Sequence, residues 1–259
     1  MSLHTPRPWD AVAEGYAETT LQITQAFARA ALDWVAPSQD AHILDLATGP
    51  GTLSKLALAE VAQITAVDFS PEMLRICRAQ LAGTTVEILE ADGQDLGIHQ
   101  RFDAAFSMFG LIFFPDRDAA LRSLRASLRP GGVACISSWL PPQRSSGMIQ
   151  AMGAFSAALP DWTPGELERP DWDHPEIIAQ AMERAGFHDL QIEERLISVD
   201  VDAESAWRGL AQGFAPLALA RQTMDPRLWA EAEQRGQAWM AEHCEPTQSY
   251  AALFAKGRA

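Results

Sequence analysis

The sequence predicts an α/β fold in which a mostly parallel sheet is covered by helices on both faces. Three observations carry that prediction. Short apolar runs alternate with helical patterns through the first two-thirds of the chain, the rhythm of successive βαβ crossovers. Those runs are apolar throughout rather than alternating, as strands buried on both faces are. With 259 residues, 47% of them hydrophobic, the chain is long enough to bury a large core.

The elements follow in order. Residues 1–36 read as helical and include the aromatic stretch Trp9-Asp10-Ala11-Val12-Ala13-Glu14-Gly15-Tyr16. Ala41–Leu46 is the first strand, followed by a glycine turn and a helix from Thr52 to Val61. Gln63–Val67 is the second strand. Ser70-Pro71-Glu72 then opens a helix to Leu81, with Ser70 as N-cap and Pro71 as its first residue. Thr85–Glu90 and Phe102–Met108 are the third and fourth strands. The helix Arg117–Leu128 is stopped by Pro130-Gly131-Gly132, and Val133–Trp139 is the fifth strand. Arg122, Arg125 and Arg129 sit at helical spacing and read as a solvated face.

Beyond Trp139 the pattern changes. Arg144–Leu159 reads as a helix, then a Pro/Trp/acid-rich loop leads to a helix from Pro175 to Gly186. Leu190–Val201 is a strand, residues 203–242 are helical with breaks at Pro216 and Pro226, and Ser249–Lys256 is the last strand. One domain over 1–259 is expected, with a lid at 1–36 and helical cover at 140–174 and 203–243.

Charge and composition exclude several function classes. Lys+Arg is 20 and Asp+Glu is 34, a net charge of −14. That balance disfavours nucleic acid and anionic membrane as partners. Cys77, Cys135 and Cys244 are too few for a disulfide framework or a cysteine-rich zinc site. No histidine pair has zinc-site spacing, so no metal is expected. The opening residues lack a charged stretch followed by an apolar run, and no run approaches the ~20 apolar residues that span a bilayer. A reducing, cytoplasmic setting is therefore expected, with the chain acting as a monomer or homodimer.

The most informative stretch is Ile43-Leu44-Asp45-Leu46-Ala47-Thr48-Gly49-Pro50-Gly51. A buried strand runs into a glycine turn that lets backbone approach a ligand closely. Asp68 ends the next strand, where a carboxylate can accept both hydroxyls of a ribose. NAD and S-adenosylmethionine both fit this arrangement. The stretch Gly49-Pro50-Gly51-Thr52-Leu53-Ser54 lacks the third glycine of the dinucleotide pattern. Asp45, just ahead of the turn, is awkward beside a pyrophosphate but suits a cationic amino-acid group. Asp92-Gly93 follows the third strand, Ser107-Met108 ends the fourth, and Leu128-Arg129-Pro130-Gly131-Gly132 leads into the fifth.

With these features in this order, the sequence resembles the class I S-adenosylmethionine-dependent methyltransferases. It looks most like the small-molecule branch of ubiquinone/menaquinone-type C-methyltransferases and natural-product enzymes. The resemblance implies a Rossmann-like seven-stranded sheet with its last strand antiparallel, plus a helical lid. It implies that Ala47, Gly49 and Gly51 lie against the methionine and ribose portion, and that Asp68 binds the ribose. Phe69 and Met73 would sandwich the adenine, Asp92 and Gly93 meet its edge, and Ser107 and Met108 flank the methyl donor. Tyr16 would close over the cofactor. Ala47 stands where the family usually has its first glycine, and Pro50 lies between the other two.

The acceptor pocket is expected at the carboxyl ends of the fourth and fifth strands. Met108, Phe109, Phe113, Phe114, Trp139, Trp162 and Trp172 are its expected lining, which suits a hydrophobic small molecule, aromatic acceptors among them. The reaction expected is methyl transfer to O, N or C. His174 is the candidate base, with His99 as a rival. Three other readings stay open: a sulfonium-dependent cyclisation or decarboxylation, a non-catalytic S-adenosylmethionine-binding subunit, and an NAD oxidoreductase.

Overall fold

The computed structural model describes residues 3–161 and 172–259. Its strands are β1 (His42–Leu46), β2 (Gln63–Asp68), β3 (Glu87–Glu90), β4 (Phe102–Met108), β5 (Leu128–Trp139), β6 (His188–Asp200) and β7 (Thr247–Arg258). They form one sheet in the order β3-β2-β1-β4-β5-β7-β6. β7 is antiparallel to both of its neighbours, and the first five strands pair in parallel. The sheet is therefore the seven-stranded, mostly parallel one expected from the sequence. Every residue of β1 is buried, in keeping with a central strand covered on both faces. The carboxyl ends of β1 and β4 lie side by side, with Asp45 opposite Phe106. Both chain segments that leave this point run into the site.

Ten α-helices are described. They are α1 (Pro6–Thr19), α2 (Leu21–Val35), α3 (Thr52–Ala57), α4 (Pro71–Gln80), α5 (Arg117–Ser127), α6 (Ser146–Ala158), α7 (Pro175–Arg184), α8 (Ala203–Gly213), α9 (Ala215–Thr223) and α10 (Pro226–His243). Local chemistry explains their starts. Ser70 Oγ accepts from the Met73 N–H at 3.2 Å with Pro71 behind it, and Asp116 and Asp202 cap α5 and α8 in the same way.

Several boundaries differ from the sequence pattern. α3 ends at Ala57 rather than Val61, because the N–H groups of Glu60 and Val61 both turn back to the Ala57 carbonyl. Pro130-Gly131-Gly132 does not precede β5 but lies inside it. Pairing with β4 already begins at Phe102–Leu128, then slips by a bulge before Ala104–Val133. Gly131, at φ +80°, makes the bulge, and its N–H goes to the Ala259 carbonyl. β6 and β7 are longer than their apolar stretches. They zip together from His188–Arg258 to Asp200–Thr247, so the partner strand sets their ends. The arginine row is only partly a helix's solvated face, since Arg129 lies on β5. Arg122 is exposed, but Arg125 Nε donates to the Gly186 carbonyl and Arg129 pairs with Asp103.

The interior has separate centres. The main one sits on the sheet and includes Phe27, Ile43, Leu46, Phe102, Phe106, Leu121 and Phe254. A second joins α6, α8, α9 and α10 through Phe155, Trp207, Leu217, Trp229 and Met240. A third ties α1 and α9 to α4: Val12 and Ala13 pack with Met73, Ile76, Ala215 and Ala218. α1 also runs tightly against α8, where a Cβ on Gly15 would stand 2.4 Å from the Gln212 carbonyl oxygen. α1 is thus the link between the cover helices and the first part of the sheet.

Candidate active site

The turn after β1 is built by one buried carboxylate. Asp45 Oδ2 accepts from Thr48 Oγ1 (2.6 Å), Ser54 N–H (3.1 Å) and Ser54 Oγ (2.7 Å). One oxygen therefore pins both the turn and the start of α3. Burial raises the Asp45 pKa, and the bonds from Thr48 and Ser54 oppose the rise. Between those anchors Ala47, Gly49 and Gly51 all take left-handed backbone, with φ of 57°, 56° and 90°. Gly51 is needed twice over, since a Cβ there would also stand 2.8 Å from Cys77 Sγ.

Asp68, at the end of β2, faces this turn. Its Oδ2 accepts from the Gly49 N–H at 2.8 Å and its Oδ1 from the Ser70 N–H at 2.9 Å. Burial pushes its pKa up to about 6 against the pull of the Ser70, Gly49 and Phe69 N–H groups, and the charge of Asp45 adds to the rise. Each carboxylate oxygen has a second lone pair. Acceptor capacity therefore remains on this carboxylate for a ligand hydroxyl. Phe69 is half-buried beside it, and Met73 is buried with its Sδ 3.9 Å from where a Cβ on Gly49 would stand. Tyr16 of α1 feels the Asp68 charge. Burial raises the pKa of its phenol, a hydrogen bond with Thr20 opposes this, and Asp68 adds to the rise.

Asp92 is exposed after β3, where it accepts from the Gln94 backbone N–H and side-chain amide. Gly93 is buried with no room for a side chain, because a Cβ would lie 2.8 Å from Phe114 and 2.9 Å from Leu46. Ser107, at the end of β4, is fully buried and its Oγ has no hydrogen-bond partner. Met108 beside it is half-buried. The chain then makes a second left-handed step at Phe109, φ 59°, whose N–H donates to Ser137 Oγ at 2.9 Å. Gly110 follows. A Cβ on it would stand 2.3 Å from the Ala47 Cβ and 3.0 Å from Ser107 Oγ. Gly110 therefore makes the room that the Ala47 methyl takes up.

The structure divides the expected acceptor lining. Phe109 and Trp139 come together, stacked with ring centroids 3.9 Å apart, and Phe27 of α2 meets both edge-on. Phe113 instead packs on Trp9 of α1, at 4.8 Å. Phe114 lies against Gly93. Trp172 is a core residue, 4% exposed, with the Arg117 guanidinium over its ring. Its ring belongs to the main core on the sheet. Trp162 lies outside the described residues. His174, at the start of α7, has a 63% exposed side chain with Asp173 beside it, at 3.5 Å. It is a solvent-facing group here rather than one enclosed by the site. His99 is exposed and lines a groove of about 340 Å³ between the segment after β3 and α5. A larger cleft, about 470 Å³, lies between the starts of β5 and β6 and the end of β7, at the opposite end of the sheet.

Residues 43–132, from β1 into β5, match the methyltransferase domain family. That stretch of the chain is similar to a methyltransferase domain. Over 137 residues it is 35% identical to a demethylmenaquinone methyltransferase of Thermus thermophilus, covering 51% of this chain and 62% of that protein. The chain thus spans about three-fifths of the length of this curated relative. Among solved structures, a phosphoethanolamine N-methyltransferase 2 of Haemonchus contortus, in complex with phosphomonomethylethanolamine and S-adenosylhomocysteine, superposes with a TM-score of 0.55. It is 16% identical and covers 90% of this chain and 52% of that one. The [4+2]-cyclase SpnF superposes at 0.56, with 16% identity and coverage of 90% and 80%. At such identities these likenesses concern the fold, and a methyltransferase and a cyclase share it.

The groups at this turn fit the cofactor of such a domain. Asp68 has acceptor capacity left for a ribose hydroxyl. The left-handed run Ala47–Gly51 gives close backbone approach, and Ser107 Oγ is a buried polar atom still lacking a partner. Sequence reasoning missed Asp10, Phe27, Gly110 and Ser137. Only Gly110, a glycine two residues after the fourth strand, carried a local signal.

Proposed function

We propose that this protein transfers a methyl group from S-adenosylmethionine to O, N or C of a small hydrophobic acceptor, aromatic acceptors among them. One observation carries the cofactor half of this reading. A buried carboxylate, Asp68, is fixed by the Gly49 and Ser70 N–H groups at the end of the first crossover, with acceptor capacity left for a ligand. The sulfonium supplies an already activated methyl group.

What remains for the chain is positioning and exclusion of water. Asp68 would hold the ribose, with Phe69 and Met73 on the adenine. Ser107 would donate toward the methionine end. Tyr16, carried in on α1, would close the near side. Half-buried Trp139, backed by the buried Phe109 ring, would offer an aromatic surface at the carboxyl end of β5, where a flat apolar acceptor gains most from dispersion and burial. Phe109 is held there in a backbone conformation that costs of order 1–3 kcal/mol for a bulky residue, a cost that clusters at functional sites.

The test is chemical. The purified protein is incubated with S-adenosylmethionine and a panel of phenols, aromatic amines, quinols and aliphatic amines, and S-adenosylhomocysteine is followed by mass spectrometry. Release in step with a methylated aromatic acceptor supports the reading. Turnover of an acceptor with no S-adenosylhomocysteine released would instead favour a non-methylating use of the sulfonium. Methylation confined to hydrophilic acceptors would contradict the aromatic surface.

A further inference from the structure

The cofactor reading leaves one polar contact between α1 and α4 unexplained. Ser70 is fully buried, and each of its polar groups is used. Its N–H donates to Asp68 at 2.9 Å, its Oγ accepts from the Met73 N–H, and its hydroxyl proton goes to Asp10 Oδ1 at 2.6 Å. Asp10 comes from α1, sixty residues away in sequence. The same Asp10 oxygen accepts the Glu72 N–H at 3.3 Å, a first-turn donor that the helix itself cannot satisfy. Two carboxylates therefore grip one residue from opposite sides, Asp68 through its backbone and Asp10 through its hydroxyl. Phe69 is the residue between Asp68 and Ser70.

We propose that Asp10 is a positioning residue for the adenosyl group: from α1 it holds the Phe69–Ser70 segment on which that group is received. The proposal rests on the reading of the Asp68 loop as the adenosyl site. The position of α1 is fixed independently, by its close approach to Gln212 of α8, by Gln222 Nε2 donating to the Ala11 carbonyl, and by Trp9 against Phe113. Asp10 thereby passes the placement of the cover helices on to the adenosyl loop. The neighbouring ion pair, Glu14 with Arg75, also joins α1 to α4 but is exposed on both sides and screened by water. It ties the same two helices without touching Ser70, which makes it the control.

Calorimetric titration of the full chain with S-adenosylhomocysteine, and with 5′-methylthioadenosine, which has the adenosyl group but no amino acid, tests this. Asp10→Ala is expected to weaken both ligands by about tenfold, the scale of a hydrogen bond to a charged group. Asp10→Asn keeps an acceptor oxygen for Ser70 and Glu72 and should restore affinity to within about threefold, a rescue that a purely bulk structural role would not give. Ser70→Ala deletes the same bond together with the Met73 cap and should weaken both ligands at least as much as Asp10→Ala; the double variant should fall short of the sum of the two, because the Asp10–Ser70 bond is lost in all three. Should Asp10→Ala fail to fold by circular dichroism, Ser70→Ala carries the same expectation. Glu14→Gln should bind as the wild type does. Wild-type affinity in Ser70→Ala or a folded Asp10→Ala, with binding lost in Asp68→Ala, would overturn the proposal alone. Loss of S-adenosylhomocysteine but not of 5′-methylthioadenosine would also overturn it. A wild-type protein that binds neither ligand would overturn the adenosyl reading and this proposal with it.

Discussion

The two halves of the site are made of different material. On the β1–β2 side, short-range hydrogen bonds do the positioning: Asp45 to Thr48 and Ser54, Asp68 to Gly49 and Ser70. On the β4–β5 side, ring packing does it, with Phe109 on Trp139 and Phe27 edge-on to both. The hydrogen-bonded half has fixed polar geometry suited to one invariant ligand. The aromatic half has apolar area and little directionality, which suits recognition of an acceptor by shape. Substitutions in the two halves should therefore separate stability from cofactor affinity.

The largest effect is expected in the aromatic half. Trp139→Ala removes a stacked but half-buried ring, so the loss should be roughly 2–3 kcal/mol of folding stability, at or below the low end of the ~3–5 kcal/mol for a fully buried aromatic. Urea unfolding measures it, and S-adenosylhomocysteine affinity should stay within about twofold. A large loss of cofactor affinity with little loss of stability would erase the division between the halves.

Next comes the point where the halves touch. Gly110→Ala would drive a methyl into the Ala47 Cβ, 2.3 Å away, at a cost of about 1–3 kcal/mol. Gly110 has φ −84°, so its backbone tolerates alanine and the clash alone is tested. Ala47→Gly in the same chain should recover most of the loss in thermal melts, since it restores the space and relieves a left-handed alanine. No recovery would mean that the two segments are not complementary.

The hydrogen-bonded half predicts opposite pH trends for binding and folding. Asp68 has a pKa of about 6 in the folded chain. Ribose hydroxyls donate to its ionised form, so S-adenosylhomocysteine affinity should fall about tenfold between pH 7 and pH 5. For folding the sign reverses. The folded chain binds this proton more tightly than the unfolded one, so the contribution favours the folded state at pH 4. It is lost as pH rises toward 6, by up to about 3 kcal/mol. Asp68→Asn should flatten both trends. A pH-independent affinity in the wild type would remove the carboxylate from the ligand's contacts. The smallest effect is expected at His174, whose alanine variant should keep turnover within about twofold, being exposed at the start of α7.

The sequence carried most of the hydrogen-bonded half because its parts are local. Ser70-Pro71 announces a helix start through a cap and a fixed φ, and Asp68 is placed by the end of an apolar strand. Gly49 and Gly51 mark a turn that needs left-handed backbone, and both take it. The seven-stranded, mostly parallel sheet and its reversed strand β7 also followed from the pattern and the resemblance. The rest depends on contacts that no local pattern encodes. Asp10 reaches Ser70 across sixty residues, and Phe27 meets Trp139 only because α2 lies on the sheet. Trp172 looked like pocket lining because tryptophans in a Pro-rich loop are ambiguous between packing and binding. In the structure it is buried beneath Arg117. Pro130-Gly131-Gly132 read as a turn because those residues end helices, yet a parallel neighbour can absorb them as a bulge.

The central claim is that Asp68 receives the ribose of an adenosyl ligand at the first crossover. A crystal structure of the protein grown with S-adenosylhomocysteine tests it most directly. The account predicts density for the ligand along Ala47–Gly51, with both ribose hydroxyls within about 3 Å of the Asp68 carboxylate and the adenine between Phe69 and Met73. Ligand density elsewhere, with Asp68 still bonded only to Gly49 and Ser70, would contradict it.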